Sequence, residues 1–192
     1  MLEFTEEGHI YTWKGKKVRS VTQVLEPLYG YIGVPAHVLE AAAARGTAVH
    51  LACEYWDNGV FGGIEEELQP YLDAWIRFLE ESKIEIEMVE NRIYHPLYGY
   101  AGAIDRIAVL QGVRGIFDIK TTASLMPAAG PQLAAYLEAW NHTNPEVPAE
   151  KRFVVQLKPD GKYVLAEHTD KADFQTFLAC QRVTKWRDKH VK

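Results

Sequence analysis

Cysteine is nearly absent from these 192 residues: Cys53 and Cys180 stand far apart and outside any CxxC pair. That excludes a disulfide framework and the cysteine-rich zinc and iron–sulfur sites. No stretch approaches the roughly 18 apolar residues of a membrane-spanning helix. The opening MLEFTEEGHIYTWKG is polar and mixed in charge, so a soluble chain in a reducing, cytoplasmic setting, with no membrane partner, is expected. Positive excess is lacking too. A net charge of −5 argues against coating a polyanion through overall potential, while leaving room for a local basic groove. There is no G-x-x-x-x-G-K-[ST] phosphate loop, hence no ATP-driven motor of that type. Repeats, linkers and low-complexity tracts are missing, and the length with 47% hydrophobic residues predicts one globular domain over 1–192.

What is present reads as a succession of short elements. Residues 2–19 alternate and turn, with breaks at Gly8 and Gly15, and predict a small hairpin leading through Ser20-Val-Thr-Gln23 into a short helix. After Gly30 and Gly33, Pro35 suits a helix start, and residues 36–57 carry the stripe Val38, Ala42, Val49, Cys53 and Trp56 of an amphipathic helix. A second helix is expected from about Ile64 to Ser82, with Leu68, Leu72, Trp75, Ile76 and Leu79 at helical spacing. Ile84, Ile86 and Met88 then alternate with charged residues. A turn with Pro96, Gly99 and Gly102 follows, and β-like runs over 103–111 and 114–121 complete a three-strand meander.

Pro131 opens a helix to about Asn141, two strands flank Asp160-Gly161, and Asp170 is placed to cap a closing helix from 171. Together these elements predict an α/β (α+β) fold, a sheet with helices packed against it. Arg182, Lys185, Arg187, Lys189 and Lys192 make the end of the chain basic, as suits the C-terminal pole of a helix.

The chemistry concentrates in Gly102-Ala-Ile-Asp105 and Phe117-Asp118-Ile-Lys120-Thr-Thr. In a strand, side chains two apart share a face, so Asp118 and Lys120 project together while Ile119 points into the sheet. Asp105 lies thirteen residues before Asp118, and a hairpin would return it beside that residue. Two carboxylates and a lysine, partly open to water, suit Mg²⁺ or Mn²⁺ better than zinc. Such an ion polarises a phosphoryl oxygen and helps deprotonate an attacking water, with Lys120 placed to position the water or offset charge. D-x-K alone is common by chance; its company gives it meaning.

On the first long helix, Arg45-Gly46-Thr-Ala-Val-His50 places His50 and Glu54 on one face. Gly46 costs a helix about 1 kcal/mol relative to alanine, which points to close approach of a backbone or a ligand. Glu90 shares parity with Ile84, Ile86 and Met88 and so points toward the apolar face, where a carboxylate needs a metal or a cation, unless a bulge shifts the register. Gln132 and Tyr136 are neighbours near a helix N-terminus, placed to hold a phosphate or a base.

In order, G-x-x-x-H (Gly46 to His50), G-x-x-D (Gly102 to Asp105), D-x-K (Asp118 to Lys120) and Q-x-x-x-Y (Gln132 to Tyr136) resemble the RecB-like branch of the PD-(D/E)XK nuclease superfamily. Arg19-Ser-Val-Thr-Gln-Val-Leu25 is similar to the P-S-V-T-x-x-L opening of the mitochondrial genome maintenance exonucleases and their phage and bacterial relatives, with Arg19 where proline is usual. The resemblance spans about 9–187. It implies a restriction-endonuclease-like central mixed β-sheet flanked by helices, and a Mg²⁺- or Mn²⁺-dependent deoxyribonuclease without an iron–sulfur cluster.

It further implies that Asp105 and Asp118 bind the metal with His50, Glu90 and the Ile119 carbonyl, and that Lys120 is the catalytic lysine. Gln132, Tyr136, Arg45 and Thr121 are the implied DNA contacts. An exonuclease or flap-processing enzyme on single-stranded DNA ends, in phage recombination and repair, is the expected activity. A helicase or a single-strand annealing or binding protein would be its partner. Trp13, Tyr29, Tyr31 and Tyr55 are candidates to stack on bases. The alternatives are an endonuclease and a non-catalytic DNA-binding or assembly module.

Overall fold

The N-terminal residues fold on themselves through two turns of left-handed backbone. Lys14 and Gly15, at φ 50° and 74°, form the kind of two-residue turn whose twist matches that of antiparallel strands. The result is three short strands, β1 (Leu2–Thr5), β2 (Ile10–Trp13) and β3 (Lys16–Ser20), rather than the single expected hairpin. Ser20 then caps α1 (Val21–Val24) with a reciprocal box: its Oγ accepts from the Gln23 N–H at 3.1 Å, and Gln23 Oε1 accepts from the Ser20 N–H at 3.0 Å. The computed structural model describes residues 1–29 and 34–191. Gly30, Tyr31, Gly33 and Lys192, which entered the sequence reading, lie outside the described residues.

The long helix α2 (Ala36–Asp57) has the expected bounds, but Val38 is exposed and the buried stripe is carried by Val49 and Cys53. The next helix, α3 (Gln69–Ser82), begins later than the apolar spacing suggested, because Pro70 sits in its first turn. A proline deeper in the helix would lack an N–H and clash with the preceding turn. Three long strands follow as expected: β4 (Glu85–His95), β5 (Tyr100–Leu110) and β6 (Val113–Lys120). The remainder is α4 (Ala129–Thr143), β7 (Lys151–Leu157), β8 (Tyr163–Glu167) and α5 (Asp173–His190). Asp170 accepts from the Ala172 N–H at 2.8 Å in the turn before α5, so it shapes the approach and is not the cap. Arg19 pairs with Asp188 near the end of α5, and Arg187 and Lys189 stand in its last turn.

The strands form one mixed sheet in the order β1-β2-β3-β5-β6-β7-β8, with β4 on the other edge of β5. Parallel contacts join β3 to β5 and β6 to β7, and the other pairs are antiparallel. Helices cover both faces. On one, α4 and α5 bring Leu133, Ala139, Trp140 and Phe177 against Ile104, Ile107, Ile116 and Val154. On the other, α2 and α3 bring Val49, Cys53, Trp75 and Phe78 against Ala108, Phe117, Ile119, Phe153 and Val155. No described helix is long and apolar enough to cross a membrane.

His95, at the end of β4, is wholly buried, stacks on His142 at 4.6 Å, and has no hydrogen-bond partner on either ring nitrogen among the described residues. Burial, aided by His142, pushes its pKa from 6.5 down to about 4. Between those values the unfolded chain takes up a proton that the folded one refuses. Stability should therefore fall as pH drops from about 6.5 to about 4, by at most roughly 1.4 kcal/mol per pH unit for one proton, with no contribution above that window. Urea titrations of His95→Phe across the window should show a slope smaller by about one proton; an unchanged slope would show that His95 is not the source.

Candidate active site

The site arises where the sheet splits. One edge of β5 is shared: β3 pairs with it only at Tyr100 and Ala101, and β6 only from Arg106 onward, where Arg106 faces Phe117. Gly102 to Asp105 thus have no strand on that edge, while Asp118, Ile119 and Lys120 run beside β7, opposite Val154, Val155 and Gln156. Asp105 closes the gap: its Oδ2 accepts the Ile119 N–H at 2.7 Å. This satisfies a backbone donor that would otherwise be orphaned in a buried position.

From the α2 side, His50 Nε2 lies 2.8 Å from the Ile119 carbonyl. A carbonyl only accepts, so Nε2 donates to it, and Nδ1 is the ring nitrogen turned toward Asp105, 3.5 Å from its Oδ2. The Ile119 carbonyl here orients His50. From β4, Glu90 completes a set: ligand atoms of His50, Glu90 and Asp105 all lie within 4.8 Å of one another. Asp118 is not in that set. Its Oδ1 and Oδ2 lie 2.9 and 2.7 Å from Lys120 Nζ, and Oδ1 also accepts from Gln132 Nε2 at 2.9 Å.

Glu90 reaches the site past a bulge, the alternative that the parity argument left open. The β4–β5 register shifts between Ile86 and Met88, which leaves Met88 42% exposed. Glu90 itself takes a left-handed backbone, φ 49°, at a cost of order 1–2 kcal/mol for a residue with a Cβ. Strain of that kind, held by surrounding structure, accompanies functional positions more often than ordinary ones.

The electrostatics favour a cation. Burial, with Asp105 nearby, pushes the Glu90 carboxyl up to about 7, and burial with the charge of Asp105 also raises Asp118 despite Lys120. Burial disfavours the Lys120 ammonium, but Asp118 and Asp105 outweigh it and hold the lysine charged. Two crowded carboxylates and one imidazole form a set able to hold a divalent metal ion.

Gln132 and Tyr136 are both buried, and Gln132 Nε2 bridges Asp118 and the Tyr136 hydroxyl, the latter at 3.3 Å. Gly102 explains the packing of Tyr136, since a Cβ at Gly102 would lie 2.7 Å from Tyr136 Cε1. Gly46 differs: among the described residues a Cβ there would meet only Thr121 Oγ1, at 3.9 Å, an ordinary van der Waals contact, so none of them requires this glycine. Thr121 is buried beside it, and Arg45 has a buried Nε without a hydrogen-bond partner among the described residues.

Of the aromatic residues, Trp13 stacks on Tyr94 at 4.3 Å, and Tyr55 is 49% exposed on α2. Tyr29 lines a cavity of about 180 Å³ with Lys120, Gln132 and Thr22. Sequence reasoning missed Arg106 and Asp57. Arg106 is wholly buried, with Nε 2.6 Å from Asp57 Oδ2 and one terminal nitrogen 3.4 Å from Glu90 Oε1. The only sequence signal for it is an arginine directly after Asp105 in a strand otherwise apolar to Leu110.

The two glycines should respond oppositely. Gly46→Ala should raise thermal stability, by up to about 1 kcal/mol from helix propensity, whereas Gly102→Ala should lower it by roughly 1–3 kcal/mol through displacement of Tyr136. Thermal and urea unfolding of the two variants would check this, and a destabilised Gly46→Ala would mean that the space above the glycine is not free.

No protein-family profile and no curated protein sequence matches this chain. Its fold is similar to that of a provisionally designated exonuclease from Eubacterium rectale, with a TM-score of 0.55 at 13% identity over 77% of this chain and 69% of the other. An alkaline exonuclease from Laribacter hongkongensis aligns over 88% of this chain and 91% of its own, with 14% identity and a TM-score of 0.39. At the first of these values, what the two proteins share is the arrangement of a central sheet flanked by helices.

Proposed function

We propose that residues 1–192 act as one divalent-metal-dependent deoxyribonuclease of the RecB-like PD-(D/E)XK branch, an exonuclease or flap-processing enzyme on single-stranded DNA ends. The observation that carries this reading is the gathering of His50, Glu90 and Asp105 within 4.8 Å beside the Asp118–Lys120 pair, at 2.7 Å, across one split in the sheet. The likeness of fold to a provisionally designated exonuclease agrees with it.

His50, Glu90 and Asp105 hold Mg²⁺ or Mn²⁺; the motif resemblance adds Asp118 and the Ile119 carbonyl, which pair here with Lys120 and with His50. Bound there, the ion supplies Lewis acidity to the scissile phosphate and lowers the pKa of an attacking water. Lys120, kept charged by its two carboxylate neighbours, donates to that water or to a phosphoryl oxygen as negative charge develops. Gln132 from α4 and Lys120 both hold Asp118, which aims the lysine ammonium at the opening in the sheet. Arg45 and Thr121, beside Gly46, receive the phosphate backbone.

The preference for a single strand rests on charge. Residues 36–82, which include α2 and α3, contain nine acidic and two basic residues, a wall that repels the dense phosphates of a duplex more than a strand presenting bases. Tyr55, 49% exposed on α2, offers a face on which such bases stack. A role in recombination or repair, with a helicase or a single-strand annealing or binding protein as partner, completes the reading.

End-labelled linear single-stranded, linear duplex and covalently closed circular DNA, incubated with Mg²⁺ or Mn²⁺, test the reading. The linear single strand should be degraded fastest and the closed circle spared, with EDTA abolishing activity. Lys120→Ala should lower the rate about 10²–10³-fold, the range for loss of one transition-state donor, without loss of fold. Cutting of closed circles would make the enzyme an endonuclease, and DNA binding without metal-dependent cleavage of any substrate would leave a non-catalytic module.

A further inference from the structure

The geometry points to Arg106 as a positioning residue that, neutralised by Asp57, presets Glu90 and Asp105 for the divalent cation. This inference rests on the metal-dependent reading above. Arg106 follows Asp105 directly in β5 and is wholly buried, a rare state for arginine unless its charge and donors are engaged. Nε and NH1 are engaged in three directions, while NH2 is buried without a hydrogen-bond partner among the described residues. Nε donates to Asp57 Oδ2 at 2.6 Å, and NH1 donates to the Asp105 carbonyl at 2.6 Å and reaches Glu90 Oε1 at 3.4 Å. Asp57 is itself fixed, its other oxygen accepting from Trp75 Nε1 at 2.9 Å, and the guanidinium lies over the Trp75 ring at 5.5 Å.

One guanidinium therefore ties the last turn of α2, the core of α3, and two strands that each supply a member of the candidate metal set. The rigid planar fork of arginine suits this task, since it fixes several acceptors in one geometry. A lone buried cation here would compete with a metal for Glu90. Paired with Asp57, it adds no net charge, so it can hold the ligands without repelling the ion. It also gives the left-handed Glu90 backbone, φ 49°, a restraint from the opposite strand. Outer partners of this kind commonly change metal affinity by about 10–100-fold when removed.

Mn²⁺ binding to the full chain by calorimetry, without DNA, separates the possibilities when run on wild type, Arg106→Lys and Asp57→Asn, with circular dichroism to establish folding. Lysine keeps the charge and loses the fork; asparagine keeps the shape and leaves the guanidinium uncompensated. The expected result is folded variants that bind Mn²⁺ about 10-fold or more weakly, with cleavage largely restored at saturating Mn²⁺. A catalytic group would instead lower the rate at saturation. Variants that fold and bind Mn²⁺ as wild type does would overturn the role of Arg106 while leaving the metal site standing. Wild type that binds no Mn²⁺ would overturn the metal-dependent reading and this inference with it. Should Arg106→Lys fail to fold, Asp57→Asn and Trp75→Phe, which relaxes Asp57 by one hydrogen bond, carry the same comparison.

Discussion

A single hydrogen bond, from the Ile119 amide to the Asp105 carboxylate, closes the place where β5 and β6 part. Two antiparallel strands that stay paired leave no room between them for a reagent. Strands that part expose backbone groups, and in a buried position those groups must find partners. Here Asp105 and His50 are the partners, the first for the Ile119 amide and the second for its carbonyl. The side chains that repair the sheet are thus the ones brought together as the candidate metal set, and Asp105 cannot be changed without disturbing the split.

The split also explains why the site draws on both layers of helices. A residue on either face of a continuous sheet is screened from the other face by the backbone. At the opening, α2 reaches in with His50 from one side, and α4 with Gln132 from the other. The two hydrophobic clusters, one under α4 and α5 and one under α2 and α3, hold these helices at fixed distance from the strands. Buried charge within this frame is heavy: Asp105, Arg106 and Asp118 are all buried. Such groups raise the cost of folding unless paired. The chain pairs Arg106 with Asp57 and Lys120 with Asp118, and leaves Glu90 and Asp105 crowded, which is the arrangement that a divalent cation relieves.

Much of this was legible from spacing. The D-x-K alternation placed Asp118 and Lys120 together and Ile119 in the core, because side-chain direction in a strand follows from covalent geometry. The Ser20 capping box was readable because its two hydrogen bonds span only three residues. Other features depended on contacts remote in sequence. The start of α3 followed Pro70 and not the apolar stripe. The parity of β4 was broken by a shift near Glu87 that only its pairing with β5 reveals. Glu90 was named for a face that the bulge had altered, yet its left-handed backbone brings it to the site.

The sequence by itself determined the elements, their order and the residue types able to bind a hard cation, since propensity, capping and alternation act over a few neighbours. Only the tertiary structure decided that His50, Glu90 and Asp105 form one group, that Asp118 is held by Lys120 and Gln132, and that Gly102 makes room for Tyr136 while Gly46 packs loosely beside Thr121. It alone showed Arg106 buried between Asp57 and Glu90. These are distances between segments tens of residues apart, set by how two helical layers close on a divided sheet, and no local pattern encodes them.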